Sequence, residues 1–336
     1  MVQASASRLR TQPLERADYR SLLWAGPPLA VLGLAHVLFE IVGFGYAPVA
    51  AALATAGADP SSLSRDIALL RAGLGWGTTA LVFIVVGIGA AIAAWSILAS
   101  RVRGRARIPF LGLAAGITVL GLAHLLAVDA LDRPLGAIFH VTRDSLAVRD
   151  VLPVHHLASV ALIVGGINVM SVLVPALLVA AATATALPPL DGWNAETLAR
   201  RARQVREFVA IAAAFMVAGV VHMGAWTHWA GAALLDKELE SALTPLATAV
   251  TLFWGAAFTL MIASFYLPMA AVLSRLAADI MDRRDIAAGE RPAWLAARGL
   301  SFQFGTQLPQ IAAMAAPLLA SPLAAAIRAT ADHALF

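Results

Sequence analysis

Apolar residues fall in long runs along the chain, and short polar segments separate one run from the next. Runs of about 20 apolar residues are typical of membrane-spanning helices, because a helix rises about 1.5 Å per residue across a hydrocarbon core about 30 Å thick. The pattern predicts an all-α polytopic membrane helix bundle with six transmembrane helices. We place them at residues 22–46, 72–100, 108–131, 154–186, 207–235 and 245–275.

Three segments lie outside these runs. Residues 1–21 are charged and lack the apolar core of a signal peptide, so we expect a cytoplasmic N-terminal segment. Residues 276–307 are predicted to be a charged, amphipathic linker in the cytoplasm or at the membrane interface. Residues 308–336 begin with an apolar stretch that contains three prolines, which interrupt helical hydrogen bonding. We expect a Pro-rich, membrane-associated segment there, either a seventh helix or a re-entrant one.

The composition agrees with a membrane protein and limits its chemistry. Hydrophobic residues make up 60% of the chain and charged residues 13%, with a mean hydropathy of +0.80. Since the chain contains no cysteine, disulfides, thiolate metal sites and iron–sulfur clusters are excluded. No P-loop and no GxGxxG or GxSxG sequence is present, so the pattern favours a protein that is not an enzyme.

Basic residues are unevenly distributed between the predicted loops. The N-terminal segment and the alternate loops on its side carry 17 of the 24 basic residues, and the other loops carry six. Positive charge concentrates on the cytoplasmic side of membrane proteins. We therefore predict a multi-pass protein of a bacterial-type inner (plasma) membrane with a cytoplasmic N-terminus. The expected partners are the lipid bilayer and other subunits, as a homo-oligomer or a larger complex, and no nucleic acid is needed to explain the charge.

Two apolar segments share a short sequence. Residues 33–40 read GLAHVLFE and residues 121–129 read GLAHLLAVD, and residues 218–226 resemble them weakly. Each segment places one histidine in the outer part of an odd-numbered span. We infer three helical hairpins in the same orientation, at 22–100, 108–186 and 207–275. Chance similarity between helices rich in leucine, alanine and glycine is the alternative explanation.

Seven of the eight histidines map to the side opposite the basic loops, together with several carboxylates. Ionisable groups inside spans are costly, and they usually face the bundle interior or a water-filled cavity. The leading hypothesis is therefore a transport or pore-forming protein with an outward vestibule and an unknown substrate. Its candidate transport and proton-coupling residues are Glu40, Asp129, His36, His124 and His222.

Two other hypotheses remain open. In the first, histidines hold haem or a transition metal in a membrane redox subunit, with His36, His124, His222, His155, His156 and His228 as candidate ligands. In the second, the protein is a non-catalytic scaffold subunit, in which small residues bring helices together and Asn168 forms a polar packing contact. Trp76, Trp226 and Trp229 are interpreted as part of an interfacial aromatic belt.

Overall fold

The computed structural model describes residues 60–102, 104–127, 129, 134–148, 152–186, 192–233, 237–300, 308–320 and 322. The N-terminal segment 1–21 and the predicted first span, 22–46, lie outside the described residues. His36 and Glu40 therefore lie outside them too. Within the described residues, every regular element is a helix.

Eight α-helices and one short 3-10 turn, Gly104–Arg107, are formed in this part of the chain. The helices are α1 (Pro60–Arg101), α2 (Ile108–Ala127), α3 (Pro134–Val148), α4 (Val154–Ala186), α5 (Ala195–Ala233), α6 (Lys237–Arg283), α7 (Arg291–Ala297) and α8 (Leu308–Ala320). Five of them, α1, α2, α4, α5 and α6, are long and apolar enough to cross a membrane. Each overlaps one of the predicted spans that follow the first.

Several helices extend beyond the apolar runs that predicted them. Helix α5 begins at Ala195, well before the predicted start at residue 207, because Asn194 caps it. The Asn194 side-chain oxygen accepts a hydrogen bond of 2.9 Å from the backbone N–H of Thr197. Helix α6 continues into the predicted linker as far as Arg283, and α3 lies inside a segment predicted to be a loop.

Helix α5 is the central helix of the described bundle. Of the apolar stretch of α5, 56% is buried, against 6% for the candidate span Gly104–Ala127. Its aromatic side chains pack on two neighbours: Phe215 lies 4.9 Å from Phe83 of α1, and Phe208 lies 4.8 Å from Phe265 of α6, between ring centroids. Further along the same two helices, Trp76 of α1 contacts Trp229 of α5, so α5 runs antiparallel to α1.

Glycines mark places where helices approach closely, and Gly87 and Gly255 are two of them. A methyl group at Gly87 of α1 would lie 2.5 Å from Met170 of α4 and 3.1 Å from Phe215 of α5, so three helices meet there. A methyl group at Gly255 of α6 would lie 2.5 Å from the backbone oxygen of Pro317. Helix α8 therefore packs directly on α6.

The two ends of the bundle differ in chemistry. We call one end the histidine end, and it is formed by the start of α1, the end of α2, helix α3, the start of α4 and the end of α5. We call the opposite end the arginine end. At the arginine end, the Arg107 guanidinium donates to the carbonyls of Val102 and Ala99, which closes the C-terminus of α1. Arg206 of α5 donates a 2.6 Å hydrogen bond to the carbonyl of Gly299.

Candidate functional site

His222 lies inside the bundle, on the central helix. Its side chain is buried, with 7% of the residue exposed. The Nδ1 atom lies 3.5 Å from the hydroxyl oxygen of Thr79 on α1, and the imidazole packs against Trp76 at 6.1 Å and Phe83 at 5.9 Å between ring centroids. The titratable imidazole is thus buried between α1 and α5, and most of its described contacts are with aromatic rings.

The hydroxyl of Thr79 limits how the imidazole is protonated. Thr79 donates its hydroxyl hydrogen to the carbonyl of Trp76 over 2.9 Å, and a hydroxyl has only one hydrogen to donate. The long contact with His222 is therefore best satisfied when Nδ1 carries the hydrogen and donates to Thr79. In that assigned tautomer, the Nε2 atom of His222 keeps a lone pair that can accept a proton.

Three tryptophans pack beside the imidazole. Trp76 stacks on Trp229 at 5.1 Å and lies 5.6 Å from Trp226. Trp76 is 0% exposed and Trp229 is 1% exposed, so the interpretation of these residues as a belt at the membrane surface was wrong. They form an internal aromatic cluster because each lies on the helix face that packs on the partner helix. We call His222, Thr79, Trp76, Phe83, Trp226 and Trp229 the His222 cluster.

Two polar atoms of the cluster lack the hydrogen bond that a buried donor normally makes. In the described part of the chain, the indole Nε1 atoms of Trp76 and Trp229 are buried and have no hydrogen-bond partner. A buried donor without an acceptor costs about 1–3 kcal/mol. The cluster therefore contains two N–H groups that would gain free energy from any acceptor that reached them.

Helix α3 covers the cluster at the histidine end. The ring of Phe139 stacks on Trp226 with a centroid distance of 5.9 Å and an interplanar angle of 11°. The hydroxyl of Thr142, which is fully buried, donates a 3.2 Å hydrogen bond to the backbone carbonyl of Trp226. These two contacts hold α3 against the end of α5, on the side where the cluster approaches the surface.

The other described members of the predicted vestibule lie elsewhere. His124, near the end of α2, is exposed, whereas His222 is buried. Asp129 is also exposed, and its carboxylate pairs with the imidazole of His140 on α3 at 3.1 Å. The described residues therefore bring Asp129 together with His140, a histidine outside the predicted vestibule set, and leave His222 with Thr79.

The remaining candidate ligands do not form a compact site in the described part of the chain. The rings of His155 and His156 lie 4.2 Å apart at the start of α4, and His228 follows His222 on α5. Among the described residues, no three His, Asp or Glu side chains are grouped so that they could hold a metal ion. Asn168 of α4 is exposed, and the hydroxyl of Ser171 donates to its backbone carbonyl.

Helical spacing could have revealed the cluster in the sequence. His222, Trp226 and Trp229 are separated by four and three residues, which places them on one face of α5. Trp76, Thr79 and Phe83 have the complementary spacing of three and four on α1. The spacing alone does not show that these two faces pack against each other.

By length and composition, the five long apolar helices are those of a multi-pass α-helical membrane protein. Comparison of the chain with protein-family models, curated proteins and solved structures found no match in any of the three.

Proposed function

We propose that this protein is a membrane transport protein in which His222 accepts and releases a proton inside the bundle. The observation that carries the proposal is the burial of this imidazole on the central helix, against two aromatic rings and one hydroxyl. Burying a polar side chain in such surroundings is energetically unfavourable, and intramembrane ionisable residues commonly mark ion and proton pathways.

The hydrogen bonds around His222 leave one ring nitrogen able to accept a proton. The Thr79 hydroxyl orients one ring nitrogen, and the other nitrogen keeps its lone pair, so the imidazole can gain a proton without losing its anchor. Trp226 and α3 lie on the side of His222 that faces the histidine end. In this proposal they control the access of protons to His222 from that end. Glu40, His36 and Asp129 remain proposed members of the path on that side, whereas the exposed His124 lies outside it.

Proton flux into liposomes tests the proposal. Purified protein would be reconstituted with a pH-sensitive dye inside, and a potassium diffusion potential would drive protons inward. We expect flux above that of empty liposomes for the natural chain, and a loss of about tenfold or more for His222→Gln, which keeps a polar side chain but cannot carry a proton at neutral pH.

His124→Gln is the matched control, because His124 is an exposed histidine near the same end of the bundle. This variant should retain most of the flux. Equal flux from the His222 and His124 variants would contradict the proposal, and so would wild-type flux no greater than that of empty liposomes. Each variant would first be shown to elute as the wild type does on size-exclusion chromatography.

The membrane topology is part of the proposal. We place the arginine end in the cytoplasm of a bacterial-type inner membrane, in line with the excess of basic residues in its loops. The lipid bilayer is the proposed partner of the exposed apolar helix α2, whose stretch is only 6% buried in the described bundle. A second copy or another subunit could cover the same surface.

The two alternative hypotheses from the sequence are tested on the same purified sample. A Soret band, or a transition metal at near one equivalent per chain, would favour the redox hypothesis with histidine ligands. Stable co-purification of other membrane subunits, without any flux, would favour the scaffold hypothesis.

A further inference from the structure

We propose that the face of α4 around Asn168 is an interface between two copies of this chain in the membrane, in which the Asn168 carboxamide of one copy pairs with the same carboxamide of the other. The inference goes beyond the proposed proton transport and does not depend on it. It starts from an amide side chain that is exposed on a candidate span and forms no hydrogen bond in the described part of the chain.

Asn168 lies near the middle of α4. At about 1.5 Å per residue it is about 21 Å from Val154, the first residue of the helix, and about 27 Å from Ala186, the last. Helix α4 is one of the five helices that are long and apolar enough to cross a membrane. When α4 spans the bilayer, the carboxamide lies at the depth of the hydrocarbon core, where no water is available to bond with it.

The fold of a single chain leaves this carboxamide without a partner in the described residues. The preceding residue, Ile167, is buried on the inner face of α4. Helix α2 contacts α4 one turn away, where Gly121 meets Val172, but Asn168 stays exposed. The hydroxyl of Ser171 donates to the backbone carbonyl of Asn168 and does not involve its side chain. Because an unsatisfied amide is unfavourable in an apolar medium, a partner that bonds with it stabilises the protein.

The surface beside Asn168 allows another helix to approach closely. Gly165 precedes Asn168 by three residues, so the two lie on the same side of α4. Gly165 and Gly166 are exposed, and a methyl group at either position would meet no atom within 4 Å. Leu162 and Val169 flank them and are 78% and 43% exposed. Small residues next to larger apolar ones let membrane helices pack with their backbones close together.

A second copy of the chain provides the group that this surface requires. A carboxamide contains both N–H donors and an acceptor oxygen, so two of them can exchange two hydrogen bonds. Two copies have the same orientation in the membrane, and a twofold axis along the membrane normal places Asn168 opposite itself at the same depth. Residues 157–186 contain no acidic or basic side chain, so no like charges oppose the approach of two α4 helices.

Disulfide cross-linking in membranes of the expressing cells tests the contact, because the chain has no cysteine of its own. Val169→Cys lies on the proposed interface, and Leu260→Cys is the control, at an exposed position on α6. Oxidation with copper phenanthroline should convert most of the Val169→Cys protein, and little of the Leu260→Cys protein, to a species of twice the mass. An adduct of another mass at position 169 would overturn the proposal, because a different protein would then cover this face.

Energy transfer between copies in liposomes measures how much the carboxamide contributes. Donor and acceptor dyes are attached at Ala147→Cys, an exposed position on α3, and the protein-to-lipid ratio is varied. Asn168→Leu should weaken association about tenfold, which corresponds to the loss of one or two hydrogen bonds between membrane helices. Asn168→Gln keeps a carboxamide and should retain most of the association. Gly165→Leu fills the space between the two backbones and should weaken association as well.

Ser264→Leu is the matched control, because Ser264 is an exposed polar residue of α6 whose hydroxyl already bonds to the carbonyl of Met261. This variant should associate as the wild type does. Wild-type chains that stay monomeric at every protein-to-lipid ratio would overturn the proposal. Equal association of the Asn168→Leu and Ser264→Leu variants would overturn it too, because the copies would then meet through another surface.

Discussion

Gly121 of α2 and Val172 of α4 meet at a point where a side chain larger than hydrogen does not fit. A methyl group at Gly121 would lie 2.3 Å from the Val172 Cγ1 atom. The glycine of the GLAH sequence at residues 121–124 therefore brings two helices together, and His124, three residues later, is exposed. This assigns a packing role to the first residue of that sequence.

The first prediction concerns this helix contact. Gly121→Ala should destabilise the protein by about 1–3 kcal/mol, because the added methyl group forces α2 and α4 apart. Gly116→Ala is the control on the same helix, where a methyl group would meet nothing within 4 Å. It should be neutral or stabilising by up to about 1 kcal/mol through helix propensity. Unfolding of both variants in detergent, followed by circular dichroism, measures the difference, and equal midpoints would contradict the assignment.

The second prediction concerns the attachment of α3 to the end of α5. Thr142→Val keeps the shape of the side chain but removes its hydrogen bond to the Trp226 carbonyl, which should cost about 1 kcal/mol. Hydrogen exchange should then speed up in α3 while the amides of α5 between residues 205 and 220 stay protected. Thr142→Ser retains the hydroxyl and should show wild-type exchange. Unchanged exchange of α3 in the valine variant would show that its apolar contacts, through Phe139 and the fully buried Leu146, hold the helix.

The third prediction concerns which end of the bundle faces the cytoplasm. Because the chain has no cysteine, any single introduced cysteine is the only thiol available for labelling. Ala147→Cys in α3 should react with a membrane-impermeant maleimide on intact cells, and Ala288→Cys, after the end of α6, only after permeabilisation. Both positions are exposed, so accessibility of the side chain is not limiting. The reverse labelling pattern would invert the proposed topology.

The long helices could be predicted from the sequence because a membrane span is a long, continuous run of apolar residues. The runs at 108–131 and 154–186 led to helices that begin at Ile108 and Val154. The start of α5 at Asn194 lies outside the apolar run, because a side-chain cap and a charged helical segment mark it and no apolar residue does. Helix α3 was missed because its apolar and polar residues, from Pro134 to Val148, are too mixed and too few for a span.

The site was only partly predictable, because the composition of a helix does not determine which of its faces points into the bundle. His222 was among the predicted residues, but so was His124, and only the packing distinguishes the buried imidazole from the exposed one. Trp76 and Trp229 have the composition of interfacial residues, and their burial depends on α1 and α5 facing each other. The three-hairpin repeat stays a prediction, since its first copy lies outside the described residues.

The central position of α5 has a consequence for how the protein is made. Helices α1 to α4 leave the ribosome first, yet the surface of α1 that carries Trp76 and Phe83 is covered by α5, which is synthesised later. Until α5 enters the membrane, the Thr79 hydroxyl and the Trp76 indole have to face lipid or a temporary partner. This face of α1 therefore reaches its final surroundings only after α5 has been synthesised and has packed on it.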